Sequence, residues 1–182
     1  MIVGIVGPIA SGKDVVARIL EEKGFVKLNL SDEVREEAKS RGVAIERKNL
    51  QDIGNEMRKK YGEGYWAERL LKKMQIGKNY VITGIRNPGE ILRFKIAGDF
   101  TLIGVDAPDV KRFEWIIARK KDSDPKTLEE IRAIDARDLG VGEESYGQQV
   151  QKCMDFVEHK IENNGTLEEL KQKVEKLLEE II

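Results

Sequence analysis

The chain is 182 residues long, 40% hydrophobic and 36% charged, with four prolines. That balance excludes disordered and fibrous classes and is enough to bury a core without disulfide or metal staples. Lys plus Arg total 32 against 33 Asp plus Glu, a formal net charge of −1, so a global electrostatic grip on nucleic acid is not expected.

A single cysteine, Cys153, rules out an internal disulfide, and a single histidine, His159, leaves little material for histidine-based catalysis or metal binding. No apolar run reaches the roughly 18 residues of a membrane span. The opening MIVGIVGPIA has no basic segment ahead of it and reads directly as a strand and loop. The expectation is one cytoplasmic domain over 1–182 without a signal peptide.

Taken in chain order, Ile2–Val6 is a short apolar run bounded by glycine, read as a buried strand. A loop over Gly7–Gly12 precedes a helix from about Lys13 to Glu22, stopped by Gly24. Phe25–Leu30 reads as a second strand, with Ser31 and Asp32 as N-cap candidates for a helix over Glu33–Arg41. Residues 47–76 carry two helical stripes separated at Gly62–Gly64, one of Leu50, Ile53, Met57 and Tyr61, the other of Trp66, Leu70, Leu71 and Met74. Tyr80–Thr83 is a third strand, Glu90–Ala97 a short helix after Pro88, and Phe100–Val105 a fourth strand. Asp109–Lys120 is a helix with Phe113, Ile116 and Ile117 facing inward. Residues 121–145 are charged and poor in apolar residues, and read as an exposed, mobile insertion holding a short helix near Leu128–Leu139. A helix over Gln148–Met154, a partly polar strand over Phe156–Ile161, and a helix from a Thr166 cap to Ile182 complete the chain. Strands alternating with helices imply a mostly parallel sheet, with ligands beyond the carboxyl ends of its strands.

The loop after the first strand carries the sharpest signal. Gly7-Pro8-Ile9-Ala10-Ser11-Gly12-Lys13-Asp14 matches G-x-x-x-x-G-K between a strand and a helix. Such a loop wraps a phosphate with successive N–H groups, the helix N-terminus adds a positive dipole, and Lys13 reaches the β- and γ-phosphates. Asp14 stands where a magnesium-binding Ser or Thr is usual. It reads in two ways: as a hard oxygen ligand for Mg²⁺, or as an acid favouring the helix N-terminus.

The other loops add candidates. Asp32 reads either as a cap or as the acceptor of a substrate hydroxyl proton, and Arg35, one turn on, as a phosphate contact or a solvated side chain. Arg86, after the third strand, suits bidentate phosphate binding across the sheet end. Arg112 and Arg119 share a helix face, and Arg119 is read as functional because phosphoryl transfer needs positive charge gathered around it. Arg137 approaches the same place from the far side of the insertion, while Arg132, Lys120 and Lys121 read as solvated. Asp106 reads as a turn former, His159 as structural and Cys153 as a small buried hydrophobe. Arg58, Tyr61, Tyr65 and Trp66 are either substrate contacts or helix packing.

The segments GPIASGKD, NLSDEVR, ITGIRNPGE, the basic stretch after VDAPDVKRFEWIIARKK, and IENNGTLEEL together resemble the nucleoside monophosphate kinase fold group. The likeness is to the branch of dephospho-coenzyme A kinases and archaeal adenylate-kinase-like proteins. RFEWIIARKKDSDPKTLEEIRAIDARDLG with GQQVQKCMDFVEHKIENNGTLEEL also resembles P-loop domains associated with deoxycytidylate deaminases.

The resemblance implies an α/β/α P-loop fold on a five-stranded parallel sheet of order 2-3-1-4-5, with an acceptor-binding helical segment near 31–76 and a lid near 119–145. It implies that Lys13 and Arg86 hold transferring phosphates, that Arg119 is the lid arginine, and that Asp32 is an acceptor-site aspartate. It places Asn163-Asn164-Gly165 by the adenine of ATP. The expected cofactor set is Gly7, Ala10, Ser11, Gly12, Lys13, Asp14, Val15, Asn164 and Gly165, with ATP and Mg²⁺ as cofactors. Asp32, Arg35 and Arg86 form the substrate set. The fold group carries an aspartate at the end of the third strand where this chain has Thr83, and a swap is expected in which Asp14 supplies that carboxylate to magnesium.

The leading expectation is an ATP-dependent kinase acting on a small phosphorylated or nucleotide-like acceptor, dephospho-coenzyme A or a (deoxy)nucleoside monophosphate, without nucleic-acid or membrane partners. The alternative is a non-catalytic ATP or deoxynucleotide sensor. A nucleic-acid-handling ATPase is disfavoured by the near-zero net charge.

Overall fold

The computed structural model describes residues 1–119 and 127–181, with Arg119 described by its backbone alone. In chain order the elements are β1 (Ile2–Val6), α1 (Lys13–Glu22), β2 (Val26–Asn29), α2 (Leu30–Ser40), α3 (Arg47–Tyr61), α4 (Tyr65–Leu71), β3 (Tyr80–Thr83), α5 (Pro88–Ala97), β4 (Phe100–Asp106), α6 (Asp109–Arg119), α7 (Leu128–Leu139), α8 (Val150–Met154), β5 (His159–Glu162) and α9 (Leu167–Ile181). The strands form one sheet of order β2-β3-β1-β4-β5, every neighbouring pair parallel. The expected P-loop fold and strand order are present.

The inner strands β1, β3 and β4 read as nearly continuous apolar runs because the sheet is covered on both faces there, whereas the edge strands β2 and β5 carry polar residues. Alternate side chains serve the two sides. Val3, Ile5, Val81, Ile103 and Val105 pack with Val16 and Leu20 of α1 and Val174 and Leu178 of α9. Val6, Ile82 and Leu102 pack with Leu30 of α2, Met57 of α3, Trp66 of α4, Phe94 of α5 and Cys153 of α8. Sequence order therefore loads α1 and α9 on one face and α2–α5 with α8 on the other.

Several boundaries depart from the sequence reading, each for a local reason. The cap of α2 is Asn29, whose Oδ1 accepts from the Ser31 amide at 2.9 Å, so the helix opens at Leu30 and neither Ser31 nor Asp32 caps it. β5 begins at His159 rather than Phe156: turn bonds from Phe156 N to Cys153 O and from Val157 N to Met154 O hold those residues to the end of α8. Ile117 is 46% exposed, so α6 turns Ile116 inward without it. Thr166 caps α9 as expected, its Oγ1 accepting from Glu169 N at 3.2 Å.

The largest correction concerns α7. Its bounds match the reading, but it is not simply an exposed insertion: Ile131, Asp135 and Asp138 are buried along one stripe. A charged face buries here because its acids meet arginines of the body rather than water. No helix among the described residues is long and apolar enough to cross a membrane.

Candidate functional site

The loop between β1 and α1 is shaped by its glycines. Gly7 has φ +151, and a Cβ there would lie 2.0 Å from the Val105 carbonyl oxygen. Gly12 has φ +103, and a Cβ there would meet Asn163 Nδ2 at 2.6 Å. Between them Ala10 is held at φ 57, a strained conformation that clusters at binding sites. Gly12 caps α1 without a side-chain hydrogen bond, and the buried Ser11 hydroxyl has no partner among the described residues. Lys13 Nζ folds back across the loop, donating to Gly7 O at 2.7 Å and to Pro8 O. Burial, with Arg86 nearby, pulls the Lys13 pKa down to about 8, against the opposing pull of Asp14, Asp138 and Asp135. The Asp14 carboxylate is 90% exposed, with Lys27 Nζ at 4.0 Å.

Two larger cavities flank this loop and a smaller one joins them. The first, about 350 Å³, lies along Ala10–Val15 and is closed by Trp115, Asn163, Gly165 and Leu170. Asn163 is buried and splices β5 to the loop: its amide donates to Asp106 O at 2.7 Å and its Nδ2 to Ser11 O at 3.0 Å. Gly165 lines this cavity, whereas Asn164 does not; its Oδ1 accepts from Lys173 Nζ at 3.3 Å.

The second cavity, about 310 Å³, lies between α2, α3 and the loop after β3, and four arginines, Arg35, Arg47, Arg58 and Arg86, face it. Its apolar wall includes Leu30, Val34 and Trp66. Trp66 is fully buried and donates from Nε1 to Gly54 O at 3.2 Å. Arg58 is buried against Glu90, with Nε 2.9 Å from Oε1. The other Glu90 oxygen accepts from the backbone amides of Arg86 at 2.8 Å and Asn87 at 3.1 Å. The pair thus fixes the loop that presents Arg86. The joining cavity, about 160 Å³, is lined by Gly7, Lys13, Asp14, Arg47, Arg86 and Asp138 among others.

The fold thus brings Gly7, Ala10, Lys13, Asp14 and Arg86 to one cavity, with Ser11, Gly12, Val15 and Gly165 lining the cavity beside it. Arg35 faces the second cavity, but Asp32 lines none of the three. It is 63% exposed and ion-pairs with Arg35 at 2.6 Å. Thr83 is buried, its hydroxyl 3.5 Å from Leu28 O, and also lines none of them. The Arg119 side chain, Lys120 and Lys121 lie outside the described residues. Arg137 pairs with Asp52 and Glu143, both at 3.1 Å, and Arg132 with Asp109 at 3.2 Å.

Sequence reasoning missed Arg47, Gln51, Trp115, Asp135 and Asp138. Asp138 Oδ2 receives Arg86 Nη1 at 3.0 Å and Arg47 Nη2 at 2.8 Å, and its Oδ1 receives Gln51 Nε2 at 3.2 Å. Asp135 pairs with Arg112. Arg112 is itself buried and donates to the carbonyls of Ile9 and Ala107, both at 3.0 Å. A signal for the two acids was present in the spacing Ile131, Asp135, Asp138, which is one helical stripe.

Residues 3–140 match the family described as an AAA domain. A UPF0200 protein of Sulfurisphaera tokodaii is 33% identical over 100% of this chain and 97% of its own length. A UPF0200/UPF0201 protein of Archaeoglobus fulgidus is 33% identical over 97% of this chain, which spans 54% of that longer protein. Shikimate kinase from Aquifex aeolicus aligns with TM-score 0.53 and 20% identity over 98% of this chain and 96% of that one. Dephospho-CoA kinase from Campylobacter jejuni aligns with TM-score 0.52 and 16% identity over 99% and 96%. The shared feature at that level of identity is the P-loop kinase-like fold.

Proposed function

The chain belongs to the UPF0200 family, with an AAA-type P-loop domain over most of its length, and from this we propose that it is an ATP-dependent kinase. It transfers the γ-phosphoryl group to a small nucleotide-like acceptor, dephospho-coenzyme A or a (deoxy)nucleoside monophosphate. The observation that carries the reading is the joining cavity, where Lys13 and Asp14 of the phosphate loop face Arg86 of the loop after β3, with a larger cavity opening on either side.

The residues fit a nucleoside triphosphate. The Ser11 hydroxyl, without a partner among the described residues, and the backbone of a loop that tolerates no Cβ at Gly7 or Gly12 form an anion cradle. Trp115 and Leu170 offer apolar walls to a base. They also fit magnesium: the exposed Asp14 carboxylate, a hard oxygen ligand on the joining cavity, would hold the ion. When bound, magnesium would supply positive charge to the transferring phosphates.

The chain's own groups do the rest. Lys13 leaves the Gly7 and Pro8 carbonyls for the β- and γ-phosphates. Arg86, fixed through Glu90, clamps the group in transfer, and the acceptor lies among Ser31, Arg35 and Arg47. Catalysis is positioning and charge stabilisation. Arg119 is assigned the lid arginine's part, and Asp32 the part of base for a hydroxyl acceptor, which requires it to turn from Arg35.

The test is magnesium-dependent ADP release across dephospho-coenzyme A, ribonucleoside and deoxynucleoside monophosphates and phosphomevalonate, with a no-acceptor control. One acceptor is expected to stimulate release strongly, and Lys13→Ala to abolish it. Turnover unchanged in Lys13→Ala sinks the reading. Tight ATP binding with no acceptor-dependent release replaces it with a nucleotide sensor.

A further inference from the structure

Asp138 lines the small cavity that joins the two larger ones, and donors from two stretches of chain, α3 and the loop after β3, converge on it. One oxygen, Oδ2, is shared by two guanidiniums, Arg86 at 3.0 Å and Arg47 at 2.8 Å. Among the described residues Arg47 has no other ion pair, and the Arg86 side chain adds only a long bond to Gln148 Oε1 at 3.4 Å. Each guanidinium carries five donors in a fork that matches a phosphate face. Two such forks on a single carboxylate oxygen leave most of that capacity unused. Both arginines border the joining cavity as well as the second cavity, so the donors face a space that the carboxylate does not fill. We propose that Arg47, Gln51 and Arg86 form a phosphomonoester site, and that Asp138 is its built-in occupant, displaced by the ligand's phosphate as α7 lifts.

Charge favours exchange over coexistence. A phosphate dianion matches two guanidiniums better than one carboxylate does and binds each of them bidentately. A phosphate seated in the joining cavity beside a retained Asp138, which lines it, would set two anions against each other, with like-charge repulsion at short range. Exchange keeps Arg47 and Arg86 paired and releases Asp138 to water, so neither of these two arginines is left as an uncompensated charge.

The second acid of α7 shows that this helix is incompletely satisfied where it docks. Asp135 is buried against Arg112, yet its Oδ1 has no hydrogen-bond partner among the described residues. A buried acceptor left unmade weakens the docked state. The assignment of the phosphate to the acceptor rests on the kinase reading; the exchange itself does not.

The test is calorimetric titration of the full chain with inorganic phosphate, in a Lys13→Ala background that removes the phosphate-loop contribution. There Asp138→Asn is expected to tighten phosphate by about tenfold or more and Arg47→Ala to weaken it by about as much. If Asp138 only fastens α7, Asp138→Asn leaves phosphate affinity unchanged or lowers it, and the proposal fails. A measurement free of folding risk is hydrogen exchange of the unmutated chain: phosphate should speed exchange at the α7 amides and leave β1 unchanged. Unchanged or slower exchange in α7 overturns the exchange. None of these readouts needs turnover. A chain that exchanges phosphate but releases no ADP loses only the kinase reading, and one that turns over without these effects loses only this inference.

Discussion

Lys13 carries its charge at a disadvantage. Burial first, then Arg86, lowers its pKa from 10.5 to about 8. Between those values the unfolded chain binds a proton that the folded chain does not, so stability rises with pH across the window and the penalty is fully present below it. A bound triphosphate reverses the field and restores the proton. ATP binding above pH 8 should therefore take up a proton and weaken with rising pH, approaching about tenfold per unit. Calorimetry at about pH 9 in two buffers of different ionisation enthalpy checks this, and a buffer-independent enthalpy would contradict it. Arg58 poses a different residue-scale question. Its partner Glu90 is fully buried, so Arg58→Met strands a carboxylate and is expected to lower unfolding free energy by about 3–5 kcal/mol. The double change Arg58→Met, Glu90→Gln should recover much of that, because the glutamine oxygen still accepts from the Arg86 and Asn87 amides. Urea unfolding of the two variants decides it; equal losses in both would show that the ion pair was not the cause.

At the scale of elements, what was legible followed from short-range chemistry. The phosphate loop, the strand runs and the bounds of α7 lay in contiguous residues whose apolar period and glycines act locally. What was illegible depended on partners distant in sequence. Asp138 and Gln51 are 87 positions apart, Arg47 and Asp138 are 91, and Arg112 reaches Ile9 across 103. A charged stripe looks solvated until the arginines that neutralise it are placed, which is why α7 read as an exposed insertion. Trp115 was missed for a related reason: half-buried on α6, it becomes a cavity wall only once β5 and α9 bring Gly165 and Leu170 opposite. It supplies an element-scale prediction. If ATP's base lies against it, ATP should change Trp115 emission, and Trp115→Ala should weaken ATP by up to about tenfold while moving stability by less than about 1 kcal/mol. The other tryptophan, Trp66, is fully buried away from that cavity, so a Trp66→Phe background isolates the signal. No change in emission or affinity would remove the base from this cavity.

At the scale of the molecule, the two core clusters lie on opposite faces of the same short strands. β1 gives Val3 and Ile5 to one side and Val6 to the other, so neither face can lose its helices without exposing strand residues that hold the opposite face in register. The chain should therefore unfold as one unit over 1–182, as expected from its length. Cys153 offers a probe of one side. It is fully buried in the cluster that holds Trp66 and Phe94, and burial pushes its thiol pKa well above the ordinary value, so the native thiol should be almost inert to alkylation. Far-UV circular dichroism reports both sides, including α1 and α9 on the other. In a urea series the onset of Cys153 labelling and the loss of helical signal should share one midpoint. Labelling at lower urea than the circular dichroism transition would mean that the face carrying α2–α5 and α8 opens separately. The second cavity, built between α2, α3 and the loop after β3, would then belong to a subunit of lower stability than the phosphate loop beside it.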